Sequence, residues 1–161
     1  MKQAEHWIQT LNLSPHPEGG YFRETYRSPE IIQQAALPPG FADSRHFATC
    51  IYFLLAGEQV SHFHRIRSDE LWHFYAGSSL TIHLLEEDGY RSLPLNADGN
   101  FQQMVPSGVW FGATVDDSSG YALVGCTVSP GFDFSDFEMA ERAVLLQSWP
   151  EQSELIQQLS V

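Results

Sequence analysis

Between Arg45 and Val128 the chain repeats one pattern: a short run of strand-forming residues, then a turn cluster. The runs are Arg45–Ala56, Ser61–Ile66, Glu70–Tyr75, Ser79–Glu86, Tyr90–Leu95, Phe101–Val105, Val109–Val115 and Tyr121–Val128. Glu87-Asp88-Gly89, Asn96-Ala97-Asp98-Gly99 and Asp116–Gly120 carry the residues that reverse a chain. Tyr21–Arg27 adds an earlier alternating run rich in aromatic and β-branched residues. Many short strands at regular spacing specify an all-β sandwich or barrel.

The ends read differently. Ala4, Trp7, Ile8 and Leu11 fall at helical spacing, and Ser14-Pro15-His16-Pro17 stops that helix. Ile31–Asp43, with Pro38-Pro39-Gly40, reads as a long loop. Ser135-Asp136-Phe137-Glu138 fits a capping box, while Phe132-Asp133-Phe134 alternates like a strand. The expectation is strand to about Phe137 and helix from about Ala140 to Ser148. Pro150 then opens a last helix that carries Leu155, Ile156 and Leu159. No repeat or linker divides the chain, so residues 1–161 are expected to form one domain.

Eight Lys and Arg stand against twenty Asp and Glu, a formal net charge of -12. Phosphate backbones and anionic lipid surfaces need basic clusters, so nucleic acid and membrane are excluded as expected partners. Cys50 and Cys126 lie far apart in apolar runs and read as buried free thiols. Residues 1–13 show no signal-peptide pattern and no apolar run reaches spanning length, which makes the cytoplasm the expected compartment.

The chemistry concentrates in Ser61–Gly77, SHFHRIRSDELWHFYAG. On a regular strand His62 and His64 share a face, and Glu70 on the next strand can reach them. Two imidazoles and a carboxylate are ligand types for iron, manganese, nickel or zinc. The same three groups can instead run acid–base chemistry without a metal, or simply pack.

The stretch resembles the first motif of the cupin superfamily. Gly57, His62, His64, Glu70 and Gly77 follow its order, with four rather than five residues before His62 and five between His64 and Glu70. Gly99 and Pro106-Ser107-Gly108 resemble the second motif, but Phe111 stands at its histidine position and Val115 at its asparagine position. A typical cupin's last metal ligand is therefore missing. A narrower resemblance, to a cupin family of unassigned function, rests on four blocks: His16–Tyr26, Ser68–Phe74, Val105–Trp110 and Cys126–Phe134. It implies a double-stranded β-helix (jelly roll) with short N- and C-terminal helices, usually as a homodimer. The fold it implies resembles the sugar-nucleotide epimerases.

Other residues carry two readings each. Glu18, Tyr21 and Arg23 flank a Gly-Gly turn and are expected either to shape it or to stand at a pocket mouth. Trp72, Phe74 and Phe111 form core or an aromatic wall. Asp133 closes the pocket or stabilises a turn, and His73 faces outward unless a bulge intervenes. The expectation is a barrel that binds a small polar ligand, carbohydrate- or nucleotide-like, as a metal-independent isomerase or epimerase. His62 or His64 serves as base, oriented by Glu70 or Asp69. The alternatives are a divalent metal on His62, His64 and Glu70, and a binding module without chemistry.

Overall fold

The computed structural model describes residues 2–161. Its strands are β1 (Ser14–Pro15), β2 (Tyr21–Arg27), β3 (Ile31–Ile32), β4 (Arg45–His46), β5 (Thr49–Ala56), β6 (Val60–Arg65) and β7 (Asp69–Gly77). There follow β8 (Leu80–Glu86), β9 (Gly89–Leu95), β10 (Gln102–Val105), β11 (Trp110–Val115), β12 (Tyr121–Ser129) and β13 (Glu138–Met139). Helix α1 (Lys2–Thr10) precedes them, and α2 (Arg142–Ser148) and α3 (Ser153–Leu159) close the chain.

Two antiparallel sheets face each other, in the orders β1-β2-β5-β12-β7-β10 and β13-β6-β11-β8-β9. This is the expected jelly roll. Between the sheets lie Phe53, Leu55, Trp72, Leu80, Ile82, Leu84, Phe111 and Val124. Each is at most 1% exposed, the degree of burial that makes large apolar side chains the main source of stability. The terminal helices cover outer faces. Trp7, Ile8 and Leu11 of α1 and its flank pack with Leu54, Tyr21 and Leu123. Leu145, Ile156 and Leu159 of α2 and α3 pack on Phe63 and Leu85 of the smaller sheet.

The strand candidates fall close to the observed strands, with local differences. The Arg45–Ala56 run is split, because Phe47 and Ala48 break the ladder between β4 and β5. The Ile31–Asp43 loop holds the short β3 and a 3-10 turn. Ser135–Glu138 starts no α-helix. Asp133 accepts the Ser135 backbone N–H at 2.8 Å, and the chain makes one 3-10 turn before β13. Asp136 is drawn into a buried ion pair instead. Arg45 donates from Nε and Nη2 to its two oxygens at 2.6 and 2.8 Å.

Three bulges interrupt the alternation: Tyr75 is an extra residue of β7 against β12, and the other two, in β2 and β6, decide which side chains face the cavity. Against β5, residue Glu24 pairs with Ile51 and Tyr26 with Cys50, so Thr25 is the extra residue of β2. Phe22 and Glu24 point into the barrel, and the bulge sends Arg27 inward too, where strict alternation would turn it out. Against β11, residues Ser61 and His64 pair with Ala113 and Phe111, which leaves one extra residue in β6. Ser61 and His64 therefore share the inner face, Phe63 turns to the helices, and His62 is displaced from His64.

The β6 bulge needs room on β11. A Cβ at Gly112 would stand 2.7 Å from the Ser61 carbonyl oxygen and 3.3 Å from the Phe63 nitrogen. Gly112→Ala is expected to destabilise the protein by about 1–3 kcal/mol. A urea melt reads this as a lowered midpoint at constant slope.

Candidate functional site

The inner faces of β2, β5, β6, β7 and β12 leave a cavity of about 200 Å³. Its floor is polar and buried: His16, Glu18, His64, Glu70 and Cys126. Its walls are Phe22, Ile51, Val128 and, from the segment after β12, Phe132, Phe134 and Phe137. Glu24, Arg27 and Asp133 stand toward its mouth.

Glu18 reaches the floor because the Gly19-Gly20 turn lies tight on its neighbours. Gly19 has φ +110°, and a Cβ there would meet the Val60 carbonyl oxygen at 2.1 Å. His62 clamps the turn from β6. Its backbone N–H and its Nδ1 both meet the Glu18 carbonyl oxygen at 2.8 Å. The Ser61 hydroxyl donates to Glu18 Oε1 at 2.9 Å.

Backbone partners settle the imidazole tautomers. His64 Nδ1 lies 2.7 Å from the His62 carbonyl oxygen, so Nδ1 carries the proton and Nε2 is bare in the neutral ring. His16 Nδ1 accepts the Glu18 backbone N–H at 3.2 Å, so it too is bare and its Nε2 is protonated. Both bare nitrogens face one oxygen: Glu18 Oε2 lies 3.2 Å from His64 Nε2 and 3.4 Å from His16 Nδ1. Three acceptors cannot sit together without a donor, so this cluster holds a proton. Burial raises the Glu18 carboxyl above its ordinary value, with Ser61 and the histidines opposing. Burial pushes His64 down to about 4, its ring tilted against Phe111 and Phe137 at 4.1 and 5.3 Å. Both directions place the proton on Glu18 with two neutral imidazoles around it.

Glu70 is 7% exposed, and burial together with nearby Glu18 pushes its carboxyl up to about 8. The thiol of Cys126 is the side chain that opposes this shift. No other described residue donates to its oxygens.

The sequence-derived candidates divide accordingly. His64, Glu70 and Glu18 come together. His62 does not line the cavity; it holds the turn that delivers Glu18. Tyr21 packs under α1, and Arg23 lies on the outer sheet face with its guanidinium 5.7 Å from the Tyr52 ring. Neither stands at the mouth, where Arg27 does. Trp72 and Phe111 are core, with ring centroids 6.3 Å apart. Phe74 packs against that core from one side and an outer groove from the other. Asp133 lies at the cavity rim but spends its carboxylate on Ser135. His73 does face outward, between Gln102 and Thr127.

Sequence reasoning missed His16, Ser61, Glu24, Arg27 and the phenylalanines after β12. His16 lies inside the quoted His16–Tyr26 block, yet a histidine between prolines looked like punctuation. Ser61 and Arg27 face inward through bulges that no periodicity reveals, and the phenylalanines lie in an irregular segment beyond the last long strand.

The donor set does not fit a cupin metal. The β6 bulge parts His62 from His64, both nitrogens of His64 have protein partners, and Phe111 fills the fourth position. Among the described residues no group of three His, Cys, Asp or Glu is placed to hold a metal ion. A wider groove of about 750 Å³ on the outer sheet face, lined by Tyr52, His73 and Tyr75, holds no comparable buried acid–base cluster.

A jelly roll with a ligand-sized cavity between its sheets, entered beside the motif-one strands, defines a cupin. Solved cupins share this fold: a cupin 2 domain-containing protein from Halorhodospira halophila at 10% identity and TM-score 0.57 over 89% of this chain and 84% of that one. The chain belongs to the cupin superfamily family DUF985, whose model matches residues 5–140. A protein from Shewanella oneidensis is 40% identical, with TM-score 0.85 over 98% of this chain and 97% of that one. A hypothetical protein from Leishmania major is 38% identical, with TM-score 0.86 over 98% of each chain. An uncharacterized protein of Saccharomyces cerevisiae is 28% identical over 142 residues, 80% of this chain and 71% of its own length.

The buried acids and bases set a pH dependence. Glu70 is raised in the fold from 4.5 to about 8, so the folded state holds its proton longer than the unfolded one. Its contribution to stability is fully present below pH 4.5 and is lost as pH rises toward 8. His64, lowered from 6.5 to about 4, works the other way, adding stability as pH rises through that window. Above pH 6.5 only the Glu70 effect remains of the two. Stability is therefore expected to fall by about 2 kcal/mol at most between pH 6.5 and 8. Glu70→Gln removes most of that fall, read from urea midpoints at the two pH values.

Proposed function

We propose that the cavity is the site of metal-independent proton transfer at a carbon atom of a small polar ligand, the step of an isomerase or epimerase. The observation that carries this reading is the Glu18 Oε2–His64 Nε2 contact of 3.2 Å, with His64 Nδ1 locked on a backbone carbonyl. The pair holds one proton and has capacity for a second. As the proton held by Glu18 passes to His64 Nε2, the freed carboxylate takes a proton from a carbon next to a carbonyl. The C–H electron pair moves into the forming enolate. The product state is a neutral carboxyl beside the His64 imidazolium, and return of the proton to carbon restores the pair. The protonated Nε2 of His16 is the hydrogen-bond donor for the enolate oxygen, a role that needs a neutral ring with Nδ1 occupied. Burial lowers the His16 pKa, which keeps the ring neutral at pH 7.

In this reading His62 is a positioning residue that acts through the Glu18 carbonyl, and Glu70 is the group left to meet the ligand. The jelly roll is a scaffold for many chemistries, so the assignment rests on the site and not on the fold. A homodimer, expected from the family likeness, is tested separately by sedimentation mass.

The test is deuterium uptake from heavy water into a panel of small hydroxy-carbonyl compounds, simple and amino sugars included, read by proton NMR. Wild-type protein is expected to catalyse exchange in at least one compound. Glu18→Gln and His64→Asn are expected to slow it by about 100-fold or more. Unchanged exchange in both variants defeats the proposal, as does no exchange across the panel with intact wild-type protein. His62→Ala should lower the rate while shifting its pH profile, since it loosens the turn without removing the proton.

A further inference from the structure

The cavity pairs buried acids with aromatic walls, and its free donors are few: the His16 Nε2–H and the Glu70 carboxyl. Phe132, Phe134 and Phe137 stand mutually inclined, with centroids 5.0, 6.2 and 6.0 Å apart and interplanar angles of 81, 70 and 77°. Phe22 adds a wall beside the His16 ring at 4.5 Å. Together the four rings line one cavity, and an aromatic π-face attracts a cation. The wall is held in place from behind, since the buried Arg45–Asp136 pair pins the segment that carries the three rings.

The polar groups decide the sign of the ligand's charge. Arg27 is the one Lys or Arg among the residues lining the cavity. It is already spent: Nε and Nη2 donate to both Glu24 oxygens at 3.0 and 2.7 Å, and Nη1 donates to the Phe132 carbonyl at 3.2 Å. An anionic ligand finds no unpaired positive charge. A ligand that presents only hydroxyl groups finds few free partners. Both Glu18 oxygens, both His64 nitrogens and His16 Nδ1 are engaged. Glu70 is different. It is more than nine-tenths buried, faces the cavity, and has only the Cys126 thiol, a weak donor, beside it. A buried carboxyl without a strong donor is costly unless a partner arrives.

We propose that this partner is a positively charged nitrogen. The cavity takes a ligand bearing a substituted ammonium group, seated among Phe22, Phe132, Phe134 and Phe137 against the Glu70 carboxylate. This deepens the proton-transfer reading and rests on it only in using the same cavity. It narrows a carbohydrate-like ligand to one that carries an amine.

Glu70 is protonated at pH 7, so seating a cation is expected to expel its proton into solution. The groups around it are Glu18, Cys126, His16 and His64, with Glu24, Arg27 and Asp133, the last bonded to Ser135, toward the mouth. Glu18 shares its proton with the imidazoles and Glu24 is paired with Arg27, which leaves Glu70 as the group that ionises.

The experiment is calorimetric titration of the full chain with choline and with its neutral isostere, in which carbon replaces nitrogen. It is run at pH 7 in two buffers of different ionisation enthalpy. Choline is expected to bind at least about tenfold more tightly than the isostere, the worth of desolvated cation–π contacts. Binding should release about one proton, seen as a buffer-dependent heat. Glu70→Gln, nearly identical in shape, should abolish the proton release and weaken choline at least about tenfold. Phe134→Leu, at a residue already 55% exposed, should weaken choline and leave the isostere unchanged. Equal affinity for the two compounds, failure of both to bind, or choline binding that survives in Glu70→Gln each overturn the inference. Deuterium exchange that persists after such a result leaves the acid–base reading standing. A Glu70-dependent choline preference without exchange does the reverse.

Discussion

One carboxyl oxygen organises this site. Glu18 Oε2 is buried between two imidazole nitrogens that their own backbone partners leave bare, and the cluster is stable only with a proton inside it. Much of the surrounding construction serves that contact. The Gly19-Gly20 turn brings Glu18 in, His62 grips its carbonyl, Ser61 satisfies its other oxygen, and Phe111 and Phe137 dry the His64 ring. A buried polar network of this kind is worth having only when its members are satisfied, and here every group but the His16 Nε2–H has a partner that can be named.

Phe111 shows how one substitution redirects a cupin barrel. Position 111 pairs with His64 of the β6 strand, where the second cupin motif carries a histidine. Phenylalanine removes a donor and adds an apolar face 4.1 Å from the His64 ring. The loss of a ligand and the lowering of a pKa are the same event. The neighbouring imidazole is pushed toward neutrality, the state in which it can accept a hydrogen bond from Glu18.

The architecture was legible because hydrophobic alternation and turn chemistry act locally. The β7–β9 and β11–β12 runs needed nothing beyond their own residues. The same holds for α1 and α3, whose apolar faces are written at helical spacing. The Ser135–Glu138 region misread because its capping residues compete with a long-range partner: Arg45, ninety-one positions earlier, claims Asp136. His64, Glu70 and Glu18 were visible from residue type and order. Arg23 in place of Arg27, and His62 in place of Ser61, were errors of facing. The residues that do face the cavity, Arg27 and Ser61, are set there by bulges that break the period of two on which strand reasoning depends.

Those bulges act as parity switches. Past Thr25, and again past the extra residue in β6, what counts as inside and outside exchanges places, although no side chain has changed. The interior of this barrel is therefore an address system in which a single inserted residue relabels everything downstream on its strand. Two relatives can carry the same letters in the same order and present different sets to the cavity. For proteins of this build, the unit that carries chemistry from one relative to another is the residue together with its count from the nearest bulge.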